Sequence, residues 1–167
     1  MTYYLSGDAF VTSCLVVQTL KWFPKTNKKG EDYLGGRTAQ DFVSYINEKT
    51  GTHRTVGGGF TESAGRILEF DNLITKFLAT DPSNRKDIVS EAEQLQGTSS
   101  VTAHQNKEMI KHYINYMKKI AEGATDYVEK EINRLQKLVE STATNIKHKA
   151  GMYKRINILK LFRTTTS

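Results

Sequence analysis

Residues 31–54 read EDYLGGRTAQDFVSYINEKTGTHR, and the change of character along this stretch decides the fold. Glu31 to Leu34 read as a short strand, which Gly35 and Gly36 break. Thr38 stands where a helix N-cap belongs, with Asp41 three residues on to favour the positive end of the helix. Ala39, Phe42, Val43 and Ile46 fall at i, i+3, i+4 and i+7, one apolar face of an amphipathic helix. Gly51 supplies a C-cap.

Toward the N-terminus, residues 19–23 (TLKWF) are rich in strand formers, and Pro24 ends them because it has no amide to donate to a ladder. PKTNKKG, residues 24–30, carries turn chemistry, so 19–23 and 31–34 are expected to form a hairpin. In the other direction lies THRTVGGGF, residues 52–60. Neither a Lys-Ser/Thr pair nor GxGxxG spacing accompanies Gly57, Gly58 and Gly59, which disfavours a phosphate cradle. The segment 55–60 reads as a flexible hinge and a domain boundary.

Beyond the hinge the periodicity is helical. Ser63 is placed to cap a helix with Ile67, Phe70, Ile74, Phe77 and Leu78 on its apolar face. Asp81-Pro82 opens the next, a cap followed by proline at the first helical position, with Ile88, Ala92 and Leu95 and a stop at Gly97. A long helix carries Met109, Ile110, Tyr113, Met117 and Ile120 as far as Gly123, and another carries Val128, Ile132, Leu135 and Val139. A short last helix with Met152, Ile156, Leu159 and Phe162 is expected after Gly151. Each stripe is narrow, so each helix needs neighbours, and a bundle of about five helices is predicted over 61–163, with a tail at 164–167. The expected class is α+β, mostly α.

At 167 residues and 38% apolar content the chain has enough for a core, and no apolar run approaches the length of a membrane span. The first residues have no basic start and are interrupted by Asp8, so they do not read as a signal peptide, and the terminal FRTTTS is not a retention signal. Cys14 is the single cysteine, which excludes an internal disulfide, a CxxC pair and a four-cysteine zinc site; it reads as a small buried residue. The net charge of +6 is concentrated after Glu140, in Lys147, Lys149, Lys154, Arg155, Lys160 and Arg163. Without interleaved aromatics this reads as the solvated face of a final helix, not as a nucleic-acid surface. His53, His104, His112 and His148 form no metal motif and are expected at the surface, although His104 and His112 are two turns apart. Tyr113, Tyr116 and Tyr127 could line a groove or fill the core. No catalytic constellation, metal or cofactor is expected.

TLKWFP followed by GEDYLGGRTAQDFVSYINEKTGTHR closely resembles the end of a thioredoxin-like domain of protein disulfide isomerases, its last two strands and last helix. AGRILEFDNLITKF, YVEKEINRLQKLV and RINILKLF resemble the helical D domain that follows in plant and fungal members with two thioredoxin domains, and that also occurs in a non-catalytic relative. The resemblance spans residues 19–163 and implies a thioredoxin-like remnant at 1–54, a hinge at 55–60 and a D domain at 61–163. It also gives Gln18 and Thr19 a meaning, because the family places a substrate-binding cis-proline before this threonine. Gln18 stands in its place and is expected to be trans, since a non-proline cis bond costs about 2.5–4 kcal/mol. The family's CxxC motif has no counterpart, so a truncated chain without redox activity is expected; Cys14 could form a mixed disulfide but not resolve it. Unfolded or partly folded client proteins are the implied partners, and the endoplasmic reticulum lumen the implied location. The competing readings are a stand-alone chaperone-like helical module and a basic helical protein that binds nucleic acid.

Overall fold

The structure, a computed structural model, describes residues 19–25, 28–97, 106–124 and 126–163. Its front unit is a hairpin laid on a helix. Strands β1 (Lys21–Trp22) and β2 (Glu31–Asp32) pair antiparallel, Lys21 opposite Asp32 and Trp22 opposite Glu31. The ladder is shorter than the expected 19–23 and 31–34. Just past it the Tyr33 hydroxyl donates to the Gly36 carbonyl at 2.6 Å, and its ring packs on Phe42 and Tyr45, which turns the chain out of the strand. Leu34 is left 93% exposed.

Helix α1 (Ala39–Thr50) begins and ends as the sequence predicts. The Asp41 amide donates to the Thr38 hydroxyl at 3.2 Å, and the Thr38 amide donates to the Asp41 carboxylate at 2.9 Å. The Thr38 hydroxyl also donates to the Asp41 carboxylate at 2.6 Å, and that bond, followed by the one from the Thr38 amide, holds the Asp41 carboxyl below its ordinary range. Gly51 takes the left-handed conformation, φ +63°. The face that meets the hairpin differs from the expected Ala39, Phe42, Val43 and Ile46. Phe42 takes part, but Tyr45 and Lys49 complete the contact, through the Trp22 and Tyr33 rings and an ion pair to Glu31 at 2.6 Å. Two strands cover only one flank of the helix, so Ile46 stays 45% exposed and α1 buries no residue fully.

The glycine-rich segment forms a bonded turn. Arg54 and Phe60 form a β-bridge, the Thr55 amide donates to the Gly59 carbonyl, and the Gly58 amide donates to the Thr55 carbonyl. Gly57 and Gly58, at φ +89° and +87°, supply a reversal that side-chain-bearing residues resist. The Arg54 guanidinium lies 3.9 Å from the centre of the Phe60 ring. From α1, Asn47 clasps the backbone of Arg54 on both sides, its amide donating at 2.8 Å and its carbonyl accepting at 2.9 Å. The three glycines make a tight turn closed by its own bonds, a pairing that composition cannot reveal.

Five α-helices follow: α2 (Leu68–Ala79), α3 (Arg85–Leu95), α4 (Asn106–Ala121), α5 (Tyr127–Glu140) and α6 (Ile146–Leu161). Phe70, Phe77, Ile110, Met117, Ile132, Leu135, Ile158 and Leu159 form the centre of their shared core, each at most 1% exposed. Ser63 is not the cap of α2. It sits in a turn over 62–65, its hydroxyl between Thr61 and His53, and the helix begins only at Leu68. The delay follows from Gly65, whose φ of +80° is incompatible with a helix and whose missing Cβ would lie 2.5 Å from that of Lys154 in α6. Pro82 does open the next element, but as a 3-10 turn, Pro82–Asn84, leading into α3, and the Asp81 side chain makes no capping bond. Gly123, at φ +90°, follows the end of α4.

The last helix is longer than predicted. It starts at Ile146 and runs through Gly151, because packing of its apolar residues against α4 and α5 outweighs the cost of one interior glycine, about 1 kcal/mol. The basic cluster it carries is not simply a solvated face. Arg155 is paired with Glu131, and Arg163 makes two bonds to Glu129 at 2.5 and 3.0 Å. Ile156, Ile158, Leu159 and Phe162 between them are buried.

Candidate functional site

Ile67 occupies the N-cap position of α2 and has no side-chain group to cap with. Tyr113, from the middle of α4, takes over. Its hydroxyl accepts the Ile67 amide at 3.1 Å and donates to Asp71 at 2.5 Å. Asp71 in turn accepts from Arg66 Nε at 2.9 Å. Tyr113 is fully buried against Phe70, and burial together with the Asp71 bond pushes its phenol far above the ordinary range, so it remains a neutral hydroxyl. Asn157 of α6 donates to the Thr61 and Ala64 carbonyls at 3.0 and 3.1 Å. The segment leading into α2 is thereby held from two helices.

This framework leaves a groove of about 440 Å³ beside α2. Leu68, Ile74, Leu78 and Leu161 supply its apolar lining, and Arg66, Asp71, Asn72 and Thr75 supply donors and acceptors. Leu68 is 72% exposed although it stands in the first turn of a helix whose other large apolar residues are mostly buried. The groove is therefore aliphatic with polar groups along it. A second hollow of about 350 Å³ lies between α1 and the Gly57–Gly58 turn, lined by Val43, Ile46, Asn47, Arg54 and Thr55.

A polar seam joins α4, α5 and α6 on another side. Glu131 is the one charged residue that is buried among the described residues. It receives two bonds from Arg134, at 2.7 and 2.8 Å, and one from Arg155 at 2.8 Å. The Arg134 bonds are the main reason its carboxyl is held below the ordinary range. Arg155 Nε also donates to the Tyr116 hydroxyl at 3.0 Å, and the Tyr116 ring stacks on His112 with ring centres 6.0 Å apart. Burial, followed by the charge of Arg155, pushes the His112 imidazole below its usual range.

Of the residues singled out in the sequence, Thr19 is exposed just before β1, while Gln18, Cys14 and His104 lie outside the described residues. His53 bonds Ser63, and His148 is exposed. His112 is half-buried in the seam, not at the open surface expected of it. Tyr113 and Tyr116 are core residues with polar tips, and Tyr127 packs on the core's edge. Sequence reasoning misses Leu68, Asp71 and Glu131. One signal is available: Val128, Glu131 and Leu135 lie at i, i+3 and i+7, which puts a carboxylate on the buried face of α5.

The family model described as "Endoplasmic reticulum protein ERp29, C-terminal domain" matches residues 65–162, the helical bundle. Protein disulfide isomerase-like 2-2 of Oryza sativa subsp. japonica is 42% identical over 144 residues, covering 86% of this chain and 38% of the rice protein. Protein disulfide-isomerase 1 of Dictyostelium discoideum is 36% identical over 146 residues, covering 87% of this chain and 39% of its own length. Protein windbeutel of Drosophila melanogaster is 26% identical over 99 residues, 59% of this chain and 37% of that protein. The chain thus spans under two fifths of the length of these curated relatives. On the match of its bundle and the likeness that continues beyond it, the chain belongs to the protein disulfide isomerase family, with the ERp29 C-terminal domain as its helical part.

Proposed function

We propose that this chain binds unfolded or partly folded polypeptides non-covalently, in the folding pathway of the endoplasmic reticulum lumen, and that it does not itself exchange disulfides. The observation that carries the binding half is the groove at α2, where Leu68 stands 72% exposed among hydrogen-bonding side chains in an otherwise well-packed bundle. The redox half rests on Cys14 being the single cysteine, since thiol–disulfide exchange needs a second thiol to release a mixed disulfide. The location rests on the family's membership and on the name of the matching domain. In this reading residues 61–163 form the working domain. The hairpin and α1 correspond to the last strands and helix of a thioredoxin-like domain, and residues 55–60 form the joint between the two parts. Binding nucleic acid is the weaker reading, because two of the six cations after Glu140, Arg155 and Arg163, are already held by carboxylates.

Aggregation of a reduced, denatured client followed by light scattering tests the proposal. The chain should slow aggregation, Leu68→Glu should weaken that effect several-fold, and Cys14→Ser should leave it unchanged. Equal protection by the Leu68→Glu variant would remove the groove from the account. Insulin reduction at a catalytic rate that Cys14→Ser abolishes would remove the non-redox assignment.

A further inference from the structure

We propose that His112 makes the seam between α4, α5 and α6 a proton-sensitive joint, closed while the imidazole is neutral and loosened when it is charged. The argument begins with the charges assembled there. Glu131 of α5 is a single buried carboxylate, and it already faces two guanidiniums, Arg134 of its own helix and Arg155 of α6. Neutral His112 completes the cluster by stacking on Tyr116, whose hydroxyl is the second partner of Arg155. A protonated His112 would add a cation beside Arg155, whose side chain is only 24% exposed, and separation of α4 from α6 would relieve that repulsion.

The other groups around the ring do not cancel this. Glu108 lies one turn earlier on α4 and favours the charged form, as does Glu131, but Glu108 is exposed to water and Glu131 is shared with the two arginines. Tyr127 of α5 packs on Tyr116 as a neutral phenol, with Lys119 over its ring. The remaining neighbours of α4 direct their charges elsewhere: Glu93 of α3 pairs with Lys118, and Asp71 of α2 with Tyr113 and Arg66. Burial and Arg155 therefore prevail, and the folded imidazole gives up its proton more readily than a free one.

The sign of the effect follows. As pH falls through about 6.5 the unfolded chain takes up a proton that the folded chain resists. Stability due to neutral His112 is complete above that value and is lost as pH falls toward the depressed folded value. Between about pH 7.5 and about pH 5.5 this one group should lower the folding equilibrium constant by up to about tenfold.

Urea unfolding of the full chain at both pH values tests this, with His112→Gln, which cannot be charged, and His112→Phe, which keeps the ring stack. The wild-type protein should lose stability on acidification, and both variants should lose less, by that His112 share. The imidazole of His112 should titrate in the folded protein with a midpoint below about 6.5 by NMR. A midpoint at or above that value, or variants whose stability falls with acid as steeply as the wild type, would overturn the proposal. The NMR titration decides the matter even where a variant fails to fold.

Discussion

Gly65 and Gly151 should respond in opposite directions to the same substitution. Gly65→Ala forces an alanine to φ +80° and drives its methyl group into Lys154, so unfolding measurements should show a loss of about 2–4 kcal/mol. Gly151 lies inside α6 with open space where a methyl group would stand, so Gly151→Ala should stabilise by about 0.5–1 kcal/mol. A loss at Gly151 would mean that α6 does not run through it. Tyr113→Phe keeps the ring but leaves the Ile67 amide and Asp71 without their shared hydroxyl, and should cost about 1–3 kcal/mol. Glu131 carries a pH dependence of its own. Its carboxyl is held below the ordinary range by Arg134, so the stability it confers is present above about pH 4.5 and is lost as pH falls through the folded value. Glu131→Gln should flatten the acid limb of the stability profile in that window. Apart from the spacing that places Glu131 on the buried face of α5, these polar roles are not legible in the residues alone. A tyrosine at a helical spacing fits a core position whether or not its hydroxyl caps a distant helix.

Legibility at the level of elements depends on how many sides of a helix are buried. Helix α5 is legible in full because Val128, Ile132, Leu135 and Val139 form one face, and all four are buried. Helix α6 reads short because its buried residues, Ile156, Ile158 and Leu159, do not share one narrow stripe, and Gly151 looks like a boundary. The start of α2 is hidden because a serine in cap position says nothing about the positive φ two residues later. The turn at 54–60 reads as a hinge because its order comes from Asn47, Arg54 and Phe60, not from the glycines. Asn47→Ala should release it: limited proteolysis within residues 54–60 should become several-fold faster than in the unaltered chain, while the circular dichroism of the bundle stays the same. Cleavage at the unaltered rate would mean that the β-bridge holds the turn without help from α1.

For the molecule as a whole, the division of stability follows the division of burial. The hairpin and α1 rest on half-exposed aromatic contacts and bury no residue of α1, whereas the bundle encloses one continuous core. A two-stranded sheet is marginal by itself, so hydrogen exchange should find the amides of 21–33 far less protected than those of 128–139. Residues 61–163 alone should give a cooperative helical melt; gradual loss of signal would show that the bundle depends on the front unit. The mostly helical class and the five-helix bundle are legible in the sequence, because apolar periodicity repeats five times after residue 61. The groove is not, since Leu68 is one leucine among several in a helical stretch, and its exposure depends on how Tyr113 and Asn157 fix the chain ahead of it. Binding at that groove is the central claim, and amide chemical-shift mapping of the isotope-labelled chain tests it most directly. Titration with a reduced, carboxymethylated unfolded polypeptide should shift the resonances of Leu68, Asn72, Thr75 and Leu161, and Leu68→Glu should suppress those shifts. Shifts confined to the hairpin, with α2 and α6 unmoved, would contradict the account.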